Sequence, residues 1–210
     1  MSVEIDASGI RDLEAYFERF PAVARTAMKN AINDTARGAA IKLAKRNMTK
    51  EVAFPEGYLD GDRLRVTRFA TDTSLEARVT GRDRPTSLAR FTRPGTPISR
   101  GRGQHGQGAY VTVNPGRTSF FPTGFLIGLR NGNIGFAIRL SPGQRVKGVD
   151  RFQPIVLFRD KAGEPIVYLL YGPSVDQVFQ NVADDIAPEV TSELEAEFSR
   201  QFARLVGVST

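Results

Sequence analysis

Between residues 174 and 206 apolar side chains return every three or four positions, at Val175, Val178, Phe179, Val182, Ile186, Val190, Leu194, Phe198 and Phe202. That period predicts one long helix with a single buried stripe. Pro188 falls inside the run without shifting its phase, so a kinked helix is expected rather than two separate ones. Asp184, Asp185, Glu189, Glu193, Glu195 and Glu197 make its outer face acidic.

The stretch that launches this helix, YLLYGPSVDQVF at 168–179, poses a chemical question. A serine on a sharp turn can be a nucleophile, but a nucleophile elbow needs flanking glycines and a histidine base. Ser174 has Pro173 and Val175 beside it, and the chain holds one histidine, His105, in a glycine- and arginine-rich stretch. Ser174 reads better as the N-cap of a capping box with Gln177 three residues on, while Gly172 and Pro173 form the corner. Asp176 in the first turn already supplies the negative charge a helix start favours, which leaves little call for a bound phosphate.

Upstream, Ser8 precedes Ile10, Leu13, Phe17 and Phe20 at helical spacing, and Pro21 ends that helix or opens the next. Residues 21–48 carry Ala24, Ala27, Met28, Ala31, Thr35, Ala39 and Leu43 on one stripe. Arg25, Lys29, Arg37, Lys42, Lys45 and Arg46 lie mostly off it. Such a small-residue stripe suits close packing on a sheet or on a second copy of the chain. A basic helix and an acidic helix on one chain also suggest attraction across a subunit contact, modest at a solvated surface.

Period two takes over after a loop at 49–62. Leu64, Val66 and Phe69 pair as a hairpin with Leu75, Ala77 and Val79 around a turn at Thr71 to Ser74. Tyr110, Val111 and Val113 start a further strand. The clearest hairpin is FFPTGFLIGLRNGNIGFAIRL, turned at Asn131-Gly132, whose residues tolerate positive φ. Another runs from Pro154 to Phe158 and from Ile166 to Leu170, closed by Asp160, Lys161 and Gly163. The expected fold is α+β: one domain over 1–210, with helices at 8–48, a curved antiparallel sheet over about 63–171, and the long C-terminal helix at 174–206 packed on it.

Residues 82–109 interrupt that sheet. Arg82, Arg84, Arg90, Arg93, Arg100 and Arg102 stand against a single acid, Asp83, and the second half is glycine-rich with almost nothing apolar. Such a segment buries too little to order itself, so an extended arm is expected, anchored at Leu88 and Phe91. It would lie against a neighbouring subunit or, by phosphate contacts without base reading, against DNA. A protein binding nucleic acid through this arm is the second functional reading.

Other chemistries find no constellation. The chain has no cysteine, so neither a disulfide framework nor a thiolate metal site can form. A lone imidazole makes no metal centre, and adjacent Asp184 and Asp185 diverge by about 100° on a helix. No cofactor is implied. Net charge is +6 with a pI of 9.9, favouring anionic partners. The acidic N-terminal stretch lacks a signal peptide's basic start and no apolar run is long enough for a span, so a cytoplasmic product with no membrane partner is expected.

Three segments carry a family resemblance: KNAINDTARGAAIKLAKR, TSLARF, and above all PIVYLLYGPSVDQVF. Together they resemble the minor tail protein Z family of long-tailed bacteriophages. Leu88, Arg90 and Phe91 answer the family's basic-aromatic stretch; Pro165, Ile166, Leu170, Tyr171, Gly172, Pro173, Ser174 and Val175 answer its strand-to-helix corner. The stretch TPISRGRGQHGQGAY is more glycine-rich than the family pattern, and FLIGLRNGNIG is an individual version of its sheet region. The resemblance implies a non-enzymatic structural protein of the virion at the head-proximal end of the tail, assembled in the bacterial host cytoplasm. It further implies a ring of six copies around the DNA channel, completing the tail and supporting head-tail joining. Its partners would be copies of itself and a tail terminator, tail tube or head-closure protein, with DNA in the channel.

Overall fold

The computed structural model describes residues 3–5, 15, 18–96, 98–99, 108–141, 144 and 152–207. The protein is mixed α and β, broadly α+β, and its contacts fall into two units. One comprises residues 1–48, 59–83 and 175–210; the other comprises 49–58 and 84–174.

In the first unit, the alanine stripe builds a helix that begins, as expected, with a proline at its start: α1 spans Pro21–Thr35, with Ala24, Ala27, Met28, Ala31 and Ile32 buried. The expected single helix is broken by a π-helical turn at Ala36–Ala40, which contains Gly38, before α2 continues over Ile41–Glu51. The predicted helix at 8–20 lies largely outside the described residues. The C-terminal helix, α3, runs unbroken over Val175–Val206 with Pro188 inside it. Val175, Val178, Phe179, Val182, Ile186, Val190, Leu194 and Phe198 of the predicted stripe are buried, Phe202 is half-buried, and Asp176, Ala183 and Gln201 are buried besides.

Asp34 Oδ2 accepts from Gln201 Nε2 at 2.9 Å, and Arg46 meets Glu189 at 3.6 Å. The two pairs occur in opposite chain order, so the basic and acidic helices run antiparallel within one chain. A three-stranded antiparallel sheet completes this unit: β1 at Val3–Ile5, β2 at Leu64–Arg68 and β3 at Ala77–Gly81, in the order β1-β3-β2. The predicted β2–β3 hairpin is present, with reciprocal backbone bonds between Thr71 and Ser74 closing its turn.

The second unit is mostly β. Its short strands β4 (Pro85–Ser87) and β5 (Ile98–Ser99) precede β6 (Ala109–Asn114), β7 (Arg117–Phe121), β8 (Gly124–Gly128) and β9 (Ile134–Arg139). Then come β10 (Ile155–Arg159), β11 (Pro165–Leu169) and β12 (Tyr171–Ser174). They form a five-stranded sheet, β10-β11-β9-β8-β5, and two pairs, β12-β4 and β6-β7. Among the described residues only β5, which runs parallel to β8, departs from antiparallel pairing. Phe125, Ala137, Val167 and Leu169 form one core, with Ile127, Leu129, Leu157, Ile166 and Tyr171 against it.

Both predicted hairpins of this unit occur. Gly132, at φ 79°, turns the β8–β9 pair, and its N–H donates to Leu129 C=O at 3.0 Å. Asp160 Oδ1 accepts from the N–H groups of Ala162 and Glu164 to close β10–β11. Strand β7 escapes sequence reasoning, because Arg117, Thr118 and Ser119 lack an apolar alternation.

The extended arm is corrected over its first part. Residues 85–87 are strand β4, Leu88–Phe91 form a 3₁₀ turn, and Thr92 bridges to Val111. Composition favours an arm; a partner strand more than eighty residues away supplies the backbone bonds instead. Arg100, Arg102 and His105 lie outside the described residues. The glycine-proline corner is also a strand: β12 pairs with β4, and its register slips between Gly172 and Ser174, where Pro173 has no N–H to give.

Candidate functional site

The two motif segments of the second unit meet. Gly172 is opposite Thr86 and Tyr171 opposite Ser87, while Leu88 N–H donates to Leu170 C=O at 3.2 Å. Leu170 N–H in turn donates to Phe136 C=O at 2.9 Å, tying the corner to β9. Leu88 and Leu170 are fully buried and Phe91 nearly so. Burial of each such side chain contributes about 1.5–3 kcal/mol.

The packing around this junction is aromatic. Phe91 lies 5.9 Å from Phe54, and Phe54 stacks on Tyr58 at 5.5 Å and 10°. Tyr58 Oη donates to Thr86 Oγ1 at 3.4 Å, and Thr86 is wholly buried. Ser87 Oγ accepts from Ala89 N–H to start the 3₁₀ turn. Pro165 and Ile166 are half-buried on β11, Tyr171 half-buried on β12. The side-chain hydroxyls of Tyr58, Thr86 and Ser87 are thus engaged in hydrogen bonds within the junction.

Ser174 is the last residue of β12 and directly precedes α3; it is buried, while Gln177 is exposed in the first turn. Asp176 N–H donates to Arg82 C=O at 3.2 Å, and Arg82 N–H to Arg63 C=O at 2.7 Å. Arg82 therefore belongs to the helix start in the first unit. Arg84, Arg90 and Arg93 are exposed in the second.

A second cluster is one that sequence reasoning misses. The β6–β7 ribbon has a buried face, with Ala109, Val111 and Phe121, and an outer face with Tyr110, Thr112, Thr118 and Phe120. On that outer face Tyr110 and Phe120 are register partners with ring centroids 4.7 Å apart, 44% and 49% exposed. The Arg93 guanidinium lies over Tyr110 at 4.5 Å, and Arg93 N–H donates to Tyr110 C=O at 3.3 Å. Thr112 and Thr118 share a hydrogen bond of 2.8 Å beside them.

The charge around this ribbon is one-sided. Residues 84–149 contain no Asp or Glu and ten Lys and Arg, nine of them Arg. Over its whole sequence the second unit has 14 basic and 5 acidic residues, a net of +9; the first has 15 and 18, a net of −3. Arg84, Arg90, Arg117, Arg130 and Arg139 are exposed with no carboxylate partner among the described residues. A tally of acids over long windows reveals this segregation, which the whole-chain charge conceals.

Among the described residues no group of three or more His, Cys, Asp or Glu could hold a metal, and no helix is long and apolar enough to cross a membrane. What these features define is an α+β protein with a buried strand junction and an arginine-rich aromatic face. Comparison adds no family to that class: no family model, no curated protein and no solved structure matches the chain.

Proposed function

We propose that this chain is a structural component of a phage virion, at the head-proximal end of the tail. In that role it completes the tail and supports head-tail joining as part of an oligomeric ring around the DNA channel. One observation carries the reading: TSLARF and PIVYLLYGPSVDQVF, two of the three segments that carry the resemblance, come together in one buried junction where Gly172 lies under Leu88 and Phe91. Residues that serve only to hold two strands and launch a helix suit an architectural part. The reading carries with it a curved antiparallel sheet bearing the two long helices, and contacts to the next neck or tail protein.

Ring closure needs a heterologous contact, in which two different patches meet from copy to copy. The acidic outer face of α3 and the basic second unit are two such patches.

Mass measurement of the purified protein, free and extracted from tails, together with electron microscopy of tails, tests the proposal. A ring of the chain at the head-proximal end is the expected result. Its absence from the particle, or tails that join heads normally without it, would overturn the proposal.

A further inference from the structure

We infer that the outer face of the β6–β7 ribbon, with Arg93 over Tyr110, is a nucleic-acid-binding surface. The inference does not depend on the phage reading. Its first support is the ribbon's own construction. A two-stranded ribbon with one face in the core normally turns polar side chains to water; this one presents two aromatic rings at 44% and 49% exposure, with Thr112 and Thr118 alongside. Exposed rings can stack on any base, since every base has a π-face.

The second support is charge. The ribbon belongs to a stretch of 66 residues free of acid, and nine of its ten cations are arginine. Arginine pairs with phosphate through a planar fork and stacks on rings as well, whereas lysine acts as a point charge. Removal of every carboxylate from such a stretch favours a polyanion over a mixed-charge protein surface.

A second copy of the chain fits the face less well. Six of the first unit's eighteen acids, among them Glu189 and Glu197 on α3, are engaged within the chain: Asp72 with Lys29, Asp60 with Lys45, Glu189 with Arg46, Glu76 with Arg68, Glu4 with Arg78 and Glu197 with Arg200. That unit's net charge of −3 leaves a shallow complement to +9.

Arg93, Arg90 and Arg117 therefore contact phosphates, and Tyr110 with Phe120 receives an unpaired base where the strand offers one. Fluorescence anisotropy of the full chain with a labelled single strand and with its duplex, across a salt series, is the test. Log affinity should fall linearly with log salt, and Arg93→Ala with Arg117→Ala should flatten the slope by about 0.7–0.9 for each phosphate no longer neutralised. Tyr110→Ala with Phe120→Ala should weaken the single strand by about fivefold or more and the duplex less, with little change in slope. Thr118→Glu places an acid at an exposed site where the native side chain bonds Thr112, so it keeps the test clean should the aromatic variants fail to fold. It should weaken both ligands. Absent or salt-insensitive binding would overturn the inference, as would binding that all these variants leave unchanged. So would loss of self-association in the same variants without any binding of either oligonucleotide, which would give the face to a second copy. Absence of the chain from tails would sink the phage reading and leave this result standing.

Discussion

Gly172 lies directly beneath Leu88: a β-carbon built on Gly172 would stand 3.3 Å from Leu88 Cδ2 and 3.4 Å from Phe91 Cε2. Both side chains are buried, so neither can swing into solvent to make room. Gly172→Ala should therefore cost about 1–3 kcal/mol, the range for overpacking a filled core, read as a lower midpoint in urea. Gly81 is tighter still, because its added β-carbon would meet backbone, 2.6 Å from Asp176 Cα. Gly81→Ala should be the worse of the two, since only separation of β3 from the start of α3 could accommodate it. Gly38, with nothing within 4 Å, is the opposite case. There the added methyl meets no neighbour and restricts the unfolded chain, so Gly38→Ala should stabilise by about 0.5–1 kcal/mol. A reversed order among the three would show that these close approaches do not limit the fold.

Pro188 is exposed within a helix whose buried stripe continues through Ile186 and Val190. It denies the Asp184 carbonyl its donor and crowds it with the ring, a combination that costs about 3 kcal/mol in an ordinary helix interior. Pro188→Ala restores the N–H without touching the stripe. The variant should melt several degrees higher, and an unchanged or lowered melting temperature would mean that the proline itself is needed for packing.

The elements that sequence reveals are those whose stabilising partners are close in the chain. Helix α3 is legible because its period is internal, and the β8–β9 and β10–β11 hairpins because each carries its own turn residues, Asn131-Gly132 and Asp160 to Gly163. The segment Pro85 to Phe91 reads wrongly as an arm for the converse reason. Its hydrogen bonds come from Tyr171 to Ser174, and its burial from Phe54 and Gly172, none of them within thirty residues. The ribbon face is hidden differently. Tyr110 and Phe120 become neighbours only through the β6–β7 register, and β7 has no alternating signal of its own.

Gln201 is buried at the point where α3 meets α1, and it uses both ends of its amide. Nε2 donates to Asp34 at 2.9 Å and to Glu197 at 2.8 Å, while Oε1 accepts from Arg204 at 2.8 Å. Gln201→Leu keeps the volume but strips two carboxylates and a guanidinium of a shared partner. The expected loss is about 1–3 kcal/mol. Gln201→Glu should be at least as harmful, because a third carboxylate would face Asp34 and Glu197. Arg46→Ala supplies the contrast: its pair with Glu189 is more than half exposed on both sides, and its removal should change stability by less than about 1 kcal/mol.

Strand β10 is an edge of the five-stranded sheet, and Ile155, Val156 and Phe158 on it are 56%, 38% and 52% exposed. An apolar edge offers free backbone groups and sticky side chains together, a ready template for another strand. It is blunted by the irregular pairing with β11 between Val156 and Arg159, which spoils a flat register, and by the exposed charge of Arg159 at its end. Ile155→Lys and Phe158→Lys place charge on the two most exposed positions without disturbing a buried side chain. Stability should shift by only about 0.5 kcal/mol, the scale for surface changes. Concentration-dependent association followed by light scattering should fall in the double variant. Association equal to that of the parent chain would show that this edge is not the site through which copies or aggregates form.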